Sequence, residues 1–325
     1  MNLPSTIFVL RWLINDTFRQ ARSNGVYWFM LGVSVICIFV CLSIGVSGNV
    51  PESEEGVTYL PKGDPRINKI LPDDKSVVVV DGEITFAFGA IRAQATRPRD
   101  QEVRFIQWSL IGLVADTLGV LMALIWTAGF LPTFVNPSTA AVLLAKPIPR
   151  WTLLFGKFIG VLVFVAFQVT IFAVGTWFAL GLRTGYWDAQ YLLSLPLLLI
   201  HFSVFFSFSA LLAVTTRSTV TCIFGTMLFW LICWAMNYGH HMVAKIGEEM
   251  SPVAYGLMEA GYWILPKPAD FGVILIDTLQ AGNVYAPPFD VTKLSWSPVL
   301  SILSSCLFGL IMLLFAAREW ITTDY

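Results

Sequence analysis

Charge is scarce in this chain. Of its 325 residues 13% are Asp, Glu, Lys or Arg, while 56% are hydrophobic and the mean hydropathy is +0.72. An ordinary soluble domain carries about a quarter charged residues, so this chain cannot build a continuous water-facing shell and reads as an integral membrane protein. The net charge of -1 excludes the basic surface of a nucleic-acid binder. Histidine is rarer still, at three residues. His240 and His241 invite a metal reading with Glu248 and Glu249, but neighbours on a helix point about 100° apart, and neither H-E-x-x-H nor its inverse occurs. No metal site is expected, and "GHHMVAKIGEEM" reads as a solvated turn after a span. Cys37, Cys41, Cys222, Cys233 and Cys306 all lie in apolar runs with no C-x-x-C pair, so they read as small buried hydrophobes. No G-x-x-x-x-G-K-[ST] phosphate loop occurs, which removes the usual cradle for ATP. Ion-coupled transport needs buried ionisable relays, and only Asp116 and His201 stand inside apolar runs. Asp116 is expected near the outer interface beside Trp108, and His201 either bonded to Ser203 or Ser207 on neighbouring turns or placed near the outer boundary.

What is abundant is long apolar sequence. Runs near 26–46, 108–132, 157–181, 191–214, 218–238 and 297–317 each reach the roughly 20 residues that cross a hydrocarbon core of about 30 Å as helix. The first ends in Gly45-Val46-Ser47, as a secretory signal might end, but it exceeds the about 7–15 apolar residues of a signal and reads as a retained anchor. Six spans place both ends of the chain on one side. Arg11, Arg19, Arg22, Lys146, Arg150, Lys157, Arg217 and Arg318 fall there against Asp16, Glu319 and Asp324, so that side is expected to be cytoplasmic.

The expected fold is an all-α integral membrane protein with six transmembrane helices, an N-terminal interfacial helix and a small extracytoplasmic insertion containing some β-strand. Residues 1–25 hold the interfacial helix, with Ile7, Leu10, Leu13, Ile14 and Phe18 at helical spacing. The first span occupies 26–47 and the extracytoplasmic domain 48–105, where "KSVVVVDGEITFAF" suggests a hairpin turning at Asp81-Gly82. Spans two to five occupy 106–238, with a cytoplasmic loop at 133–157. In the extracytoplasmic segment 239–296, "PVAYGLMEAGYWIL" and "ADFGVILIDTLQA" read as amphipathic helices broken at Pro266 and Pro268. The sixth span and a cytoplasmic tail occupy 297–325.

The loop "NPSTAAVLLAKPIPRWTLLFGKFIGVLVF" crowds basic residues and prolines between two spans. Asn136 is a candidate helix N-cap with Pro137 at the first position, and the helix would stop at Lys146-Pro147. Pro147 and Pro149 would end it sharply and stiffen the link to the third span. Lys146, Arg150 and Lys157 either fix topology or border a docking surface. Gln168, Ser203, Ser207 and Asn237 either line a translocation path or bond helix to helix.

Leu143, Leu144, Ala145, Lys146, Pro147, Ile148, Arg150, Trp151, Gly156 and Lys157, following "ALIWTAGFLP", resemble the stretch after the second span in permease subunits of type-2 ATP-binding-cassette (ABC) exporters. "YWILPKPADF" before the last span is similar to relatives as well. Asn136, Ser138 and Thr139 stand where relatives commonly carry an acidic residue and a glycine. The resemblance implies an ATPase-coupling loop made of Asn136, Ser138, Leu143, Leu144, Lys146, Pro147 and Arg150. It implies a cytoplasmic ABC ATPase partner that carries the ATP and Mg, none being held by this chain, and a second copy or a similar permease beside it. An unidentified substrate would move outward across the plasma membrane. The rival readings are a non-transporting assembly or signalling subunit and a membrane-embedded enzyme. Generic apolar and hydroxyl side chains carry no fingerprint of the substrate.

Overall fold

The computed structural model describes residues 3–47, 83–95, 99–136, 148–246, 251–281 and 297–323. Its helices are α1 (Leu3–Ser23), α2 (Val26–Ser43), α3 (Arg99–Val135), α4 (Arg150–Thr184), α5 (Ser194–Thr216), α6 (Thr219–Ile246), α7 (Pro252–Ile264), α8 (Pro268–Thr278) and α9 (Pro298–Thr322). Among the described residues six helices are long and apolar enough to cross a bilayer: α2, α3, α4, α5 with the 3-10 turn before it, α6 and α9. The protein is an all-α membrane protein with, among the described residues, one small sheet. Helix dominates because hydrocarbon offers no partner for a free backbone amide or carbonyl, and a helix satisfies both internally.

Local chemistry sets the breaks. Gly25 (φ 75°) separates α1 from α2, and Gly185 (φ 68°) closes α4 with its amide on the Gly181 carbonyl. Prolines open α7, α8 and α9, where a missing amide hydrogen costs nothing. The Ser251 hydroxyl caps α7 by accepting from the Ala254 amide.

α5 is the most buried of the six. Phe158 of α4 stacks on Phe206 at 5.3 Å, and Phe206 on Phe202 at 5.2 Å. Around this centre α6 exposes Phe224, Leu228 and Leu231, and α9 exposes Leu303, Leu307, Leu310 and Leu314, faces suited to lipid. Lipid tails are as apolar as leucine, so helices here associate by close packing at small residues. Gly309 of α9 lies against Val204, where an added Cβ would stand 3.4 Å from the Val204 Cα. Gly156 and Gly160 of α4 form the seat of α1: a Cβ on Gly156 would meet Leu13 at 2.4 Å, and one on Gly160 would meet the Thr17 hydroxyl at 2.7 Å. The face α1 buries is therefore Leu13, Thr17 and Ala21, while Ile7 of the expected apolar stripe is exposed.

α4 has 35 residues, about 52 Å at 1.5 Å per residue, well beyond a hydrocarbon core of about 30 Å. It starts before the apolar run that marks it in the sequence, which places Lys157 inside the helix and buries it instead of leaving it at a loop edge.

The sheet has the order β1 (Gly45–Ser47), β2 (Glu83–Phe86), β3 (Ile91–Gln94), all antiparallel. The expected turn at Asp81-Gly82 lies outside the described residues. β2, the strand that was to follow it, has one edge taken by β1 and the other by β3. The tight hairpin is thus β2–β3, turning through Ala87 (φ 50°), Phe88 (φ 59°) and Gly89 (φ 95°).

The α1 seat yields a direct expectation. Gly160→Leu must displace backbone as well as the Thr17 side chain, because the Leu13 carbonyl is 3.2 Å and the Ile14 Cα 3.5 Å from the new Cβ. Overpacking of this kind costs about 1–3 kcal/mol, so the thermal melting temperature of the purified protein should fall, whereas Gly32→Leu, which meets nothing within 4 Å, should leave it unchanged.

Candidate functional sites along the bundle

At the end of the bundle where α4 begins, Lys157 is 1% exposed and its Nζ donates to Asp16 Oδ2 at 2.8 Å and Gln20 Oε1 at 2.9 Å. Phe130 and Phe134 of α3 approach the ammonium at 6.0 and 5.8 Å. Gln20 in turn donates to the Thr133 hydroxyl of α3 at 2.9 Å. One cation thus joins α1, α3 and α4. Taking an ammonium out of water is expensive, and only close, well-aligned acceptors offset it.

Arg150, at the first turn of α4, donates to the Ile321 and Thr323 carbonyls at 3.1 and 2.8 Å. These are among the orphan carbonyls that end α9. The buried Trp320 ring replies by donating to the Arg150 carbonyl at 2.9 Å. Expected at the rim of a docking surface, the Arg150 guanidinium is instead turned onto α9. Asn136 sits at the C-terminal cap of α3. Ser138, Leu143, Leu144, Lys146 and Pro147 lie outside the described residues.

Halfway along the bundle α2, α3, α4 and α5 line a partly open cavity of about 90 Å³. Phe29, Met30, Val114, Phe172 and Phe202 make its wall apolar, and Ser34 and Gln168 are its polar members. The Ser34 hydroxyl is returned to the Met30 carbonyl. Gln168 Nε2 donates to the Tyr27 carbonyl at 3.3 Å, while its buried Oε1 has no hydrogen-bond partner among the described residues. Ser203 and Ser207 do not line this cavity. Their hydroxyls bond back to Ile200 and Val204 in their own helix, and Ser207 packs against Gly309. Asn237 lies elsewhere again, so the four candidate path residues do not converge.

Asp116 and His201 pair with each other, and His201 does not bond to Ser203 or Ser207, whose hydroxyls return to their own helix. The aspartate and the imidazole are both buried, and His201 Nδ1 meets Asp116 Oδ1 at 2.6 Å. Asp116 lies in a π-helical stretch of α3, Ser109–Gly119, a geometry that recurs at functional sites. The imidazole stacks on Phe271 of α8 at 5.0 Å, and its Nε2 is buried without a hydrogen-bond partner among the described residues. The readable signal was one ionisable group in each of two apolar spans; pairing them required the fold.

The densest polar cluster surrounds Asp270, fully buried at the start of α8. Its Oδ1 receives Asn237 Nδ2 at 2.9 Å and His241 Nε2 at 2.5 Å. Its Oδ2 receives the Ser301 hydroxyl at 2.6 Å and the Tyr262 hydroxyl at 3.1 Å, and its amide donates to Asn237 Oδ1 at 3.0 Å. Beside it Lys267 donates to the Ser304 hydroxyl at 2.7 Å and lies 4.7 Å from the Tyr262 ring. His240 meets Glu259 at 2.9 Å and stacks on Tyr262 at 3.8 Å. The solvated turn expected at His240-His241 is therefore part of α6, and both rings serve to dock α7 and α8. Among the described residues no group of His, Cys, Asp or Glu is placed to hold a metal.

Electrostatics around Asp270 run in opposite directions. Burial pushes the carboxyl up, but the bonds from His241, Ser301 and Asn237 outweigh it and hold the group below the ordinary carboxylate value of 3.8. Burial pushes the Lys267 ammonium down, with the Asp270 charge pulling the other way, and burial together with Asp270 pushes the Tyr262 phenol up.

The family model of ABC-2 family transporter protein matches residues 66–304. The chain belongs to the ABC-2 transporter family. No curated protein and no solved structure matches it. As an ABC-2 family member it is a multi-pass membrane component with a permease role, and association with an ABC ATPase comes with that family. The matched stretch covers the Asp270 cluster, the Asp116–His201 pair and Lys157, but not the α1 residues Asp16 and Gln20 that hold Lys157 in this ABC-2 permease.

Asp270→Asn should cost about 3 kcal/mol at neutral pH, the scale of lost charge-assisted bonds in a buried cluster. Because the folded carboxyl lies below its unfolded value, its contribution is complete above that unfolded value and disappears as pH falls through the folded one. Melting curves of the parent and Asp270→Asn proteins in one detergent should therefore be well separated at neutral pH and converge in acid.

Proposed function

We propose that this ABC-2 permease is the membrane subunit of an ATP-driven exporter, worked from its cytoplasmic side by a separate ATPase that holds the ATP and Mg. The ATPase docks on the loop between α3 and α4, within residues 133–157, with Leu143 and Leu144 as apolar contacts and Lys146 at the rim. A second copy or a similar permease completes the pathway, and the end of the bundle that carries α1 and the close of α9 faces the cytoplasm.

The observation that carries this reading is the double lock at the start of α4. Lys157 fastens α1 and α3 to it, and Arg150 with Trp320 fastens the end of α9. Packed elements move as bodies rather than compress. A push on the loop is then delivered to four helices at once, and α4 carries it along its length to Val165, Gln168, Val169 and Phe172 in the cavity wall. The cavity wall, almost wholly apolar, suits an uncharged or amphipathic substrate drawn from the cytoplasm or the inner leaflet. The chain itself needs no catalytic residue for this work, since conformational change supplies the transport step.

Two kinds of variant separate docking from transmission. Leu144→Asp and Lys146→Glu should insert normally in the membrane yet lose the co-purifying ATPase and its ATP hydrolysis. Arg150→Glu is unsuitable, because it also strips the cap from α9. Lys157→Met should keep the ATPase bound while lowering ATP-driven substrate efflux about tenfold or more, because the partner it abandons, Asp16, is 40% exposed and can return to water. Undiminished ATPase binding in the loop variants would remove the docking assignment.

A further inference from the structure

We propose that the β2–β3 hairpin is a membrane anchor, its tip lying in the bilayer interface beside α2 with Arg183 at the level of the lipid phosphates. Antiparallel register pairs Phe86 with Ile91, Ile84 with Ala93 and Thr85 with Arg92. Side chains alternate along a strand, so Ile84, Phe86, Ile91 and Ala93 share one face, while Glu83, Thr85 and Arg92 share the other. Glu83 and Arg92 form an ion pair at 3.6 Å on that polar face. The ribbon is amphipathic. Towards its turn the apolar face is exposed, with Ile91 at 61%, Phe86 at 37% and Phe88 at 58%, while at the other end Ile84 pairs with the buried Val46 of β1.

What covers it follows from where it stands. The Phe88 ring lies 5.5 Å from the ring of Phe39, an exposed residue of the membrane helix α2. α2 has 18 residues, about 27 Å, which is no longer than the hydrocarbon core it must cross, about 30 Å. Phe39 precedes the end of α2 at Ser43 by four residues, about 6 Å of helix. A side chain packed beside it therefore reaches below the membrane surface, to the depth of about 5–10 Å typical of interfacial elements. The lipid-facing surface of α2, with Val35, Ile36, Phe39 and Val40 exposed, continues without a break into the hairpin tip.

Two further features fit this placement. Ala87 and Phe88 hold positive φ without being glycine, a conformation that side chains adopt only against strain; here it brings Phe88 to the tip. The Arg183 guanidinium lies 6.0 Å from the Phe88 ring centroid, and Trp187 nearby is exposed. Tryptophan is enriched at headgroup boundaries, and Trp187 follows Arg183 by four residues.

The test uses the full chain in phosphatidylcholine nanodiscs, with a nitroxide placed in turn at Phe88→Cys, Ile91→Cys and Arg92→Cys and the signal of the labelled parent subtracted. Collision with oxygen should exceed collision with a water-soluble nickel chelate at positions 88 and 91, and nickel accessibility there should be several-fold lower than at position 92. Nickel accessibility equal at all three would put the hairpin in water, and low accessibility to both reagents at 88 and 91 would put it against protein; either result overturns the proposal. A second readout avoids cysteine: the emission that Phe88→Trp adds to the parent should be quenched by dibrominated phosphatidylcholine. Absence of quenching counts against the anchor whatever the spin label reports.

Discussion

A single ammonium group organises the end of this bundle. Lys157 enters the space between three helices where water cannot follow, and a charge in that position is tolerable only while acceptors stay within hydrogen-bond reach. Asp16 and Gln20 meet that demand from α1, and the glycines one position before and three after Lys157 let α1 come close enough to do so. The G-x-x-x-G spacing and the buried cation are therefore one device. Small residues bring the helices together, and the charge punishes their separation.

The other polar pairs along the bundle obey the same constraint at different depths. Asp116 and His201 bind the π-helical part of α3 to α5, and Phe271 lies flat on that imidazole. One residue earlier, Asp270 collects four side-chain donors from α6, α7 and α9. The short helix α8 thus touches both clusters, and it adds a polar link between α6, α7 and α9 on one side and α3 and α5 on the other to the direct packing of α5 on α9. Between these polar ties the contacts are aromatic and small-residue packing, which resists compression but sets no unique register by itself.

How much of this was legible depended on the range of the signal. Six spans were readable because lipid imposes helix over about 20 apolar residues, and α7 and α8 were readable because prolines begin them. Lys157 was misplaced because a hydropathy run ends at a charge, whereas α4 continues through it to Arg150. Asp116 and His201 stand 85 residues apart, a distance over which no periodicity speaks. Asp270 lay within a stretch read only as an amphipathic helix; its burial depends on partners from three other helices. At the hairpin, the Asp-Gly signal lies outside the described residues, whereas the Ala-Phe-Gly turn between β2 and β3 carries no Asn-Gly or Asp-Gly pair by which the sequence could have announced it.

The central claim is that α1, α4 and their neighbours at the Lys157 end travel as one body when the ATPase works. The most direct measurement is the distance between spin labels at Arg11→Cys and Trp151→Cys, both exposed, taken by pulsed electron paramagnetic resonance on the complex with and without ATP. The account predicts a single narrow distance, identical in both conditions, while labels on two neighbouring copies move apart or together. A distance between α1 and α4 that changes or broadens with ATP would contradict it.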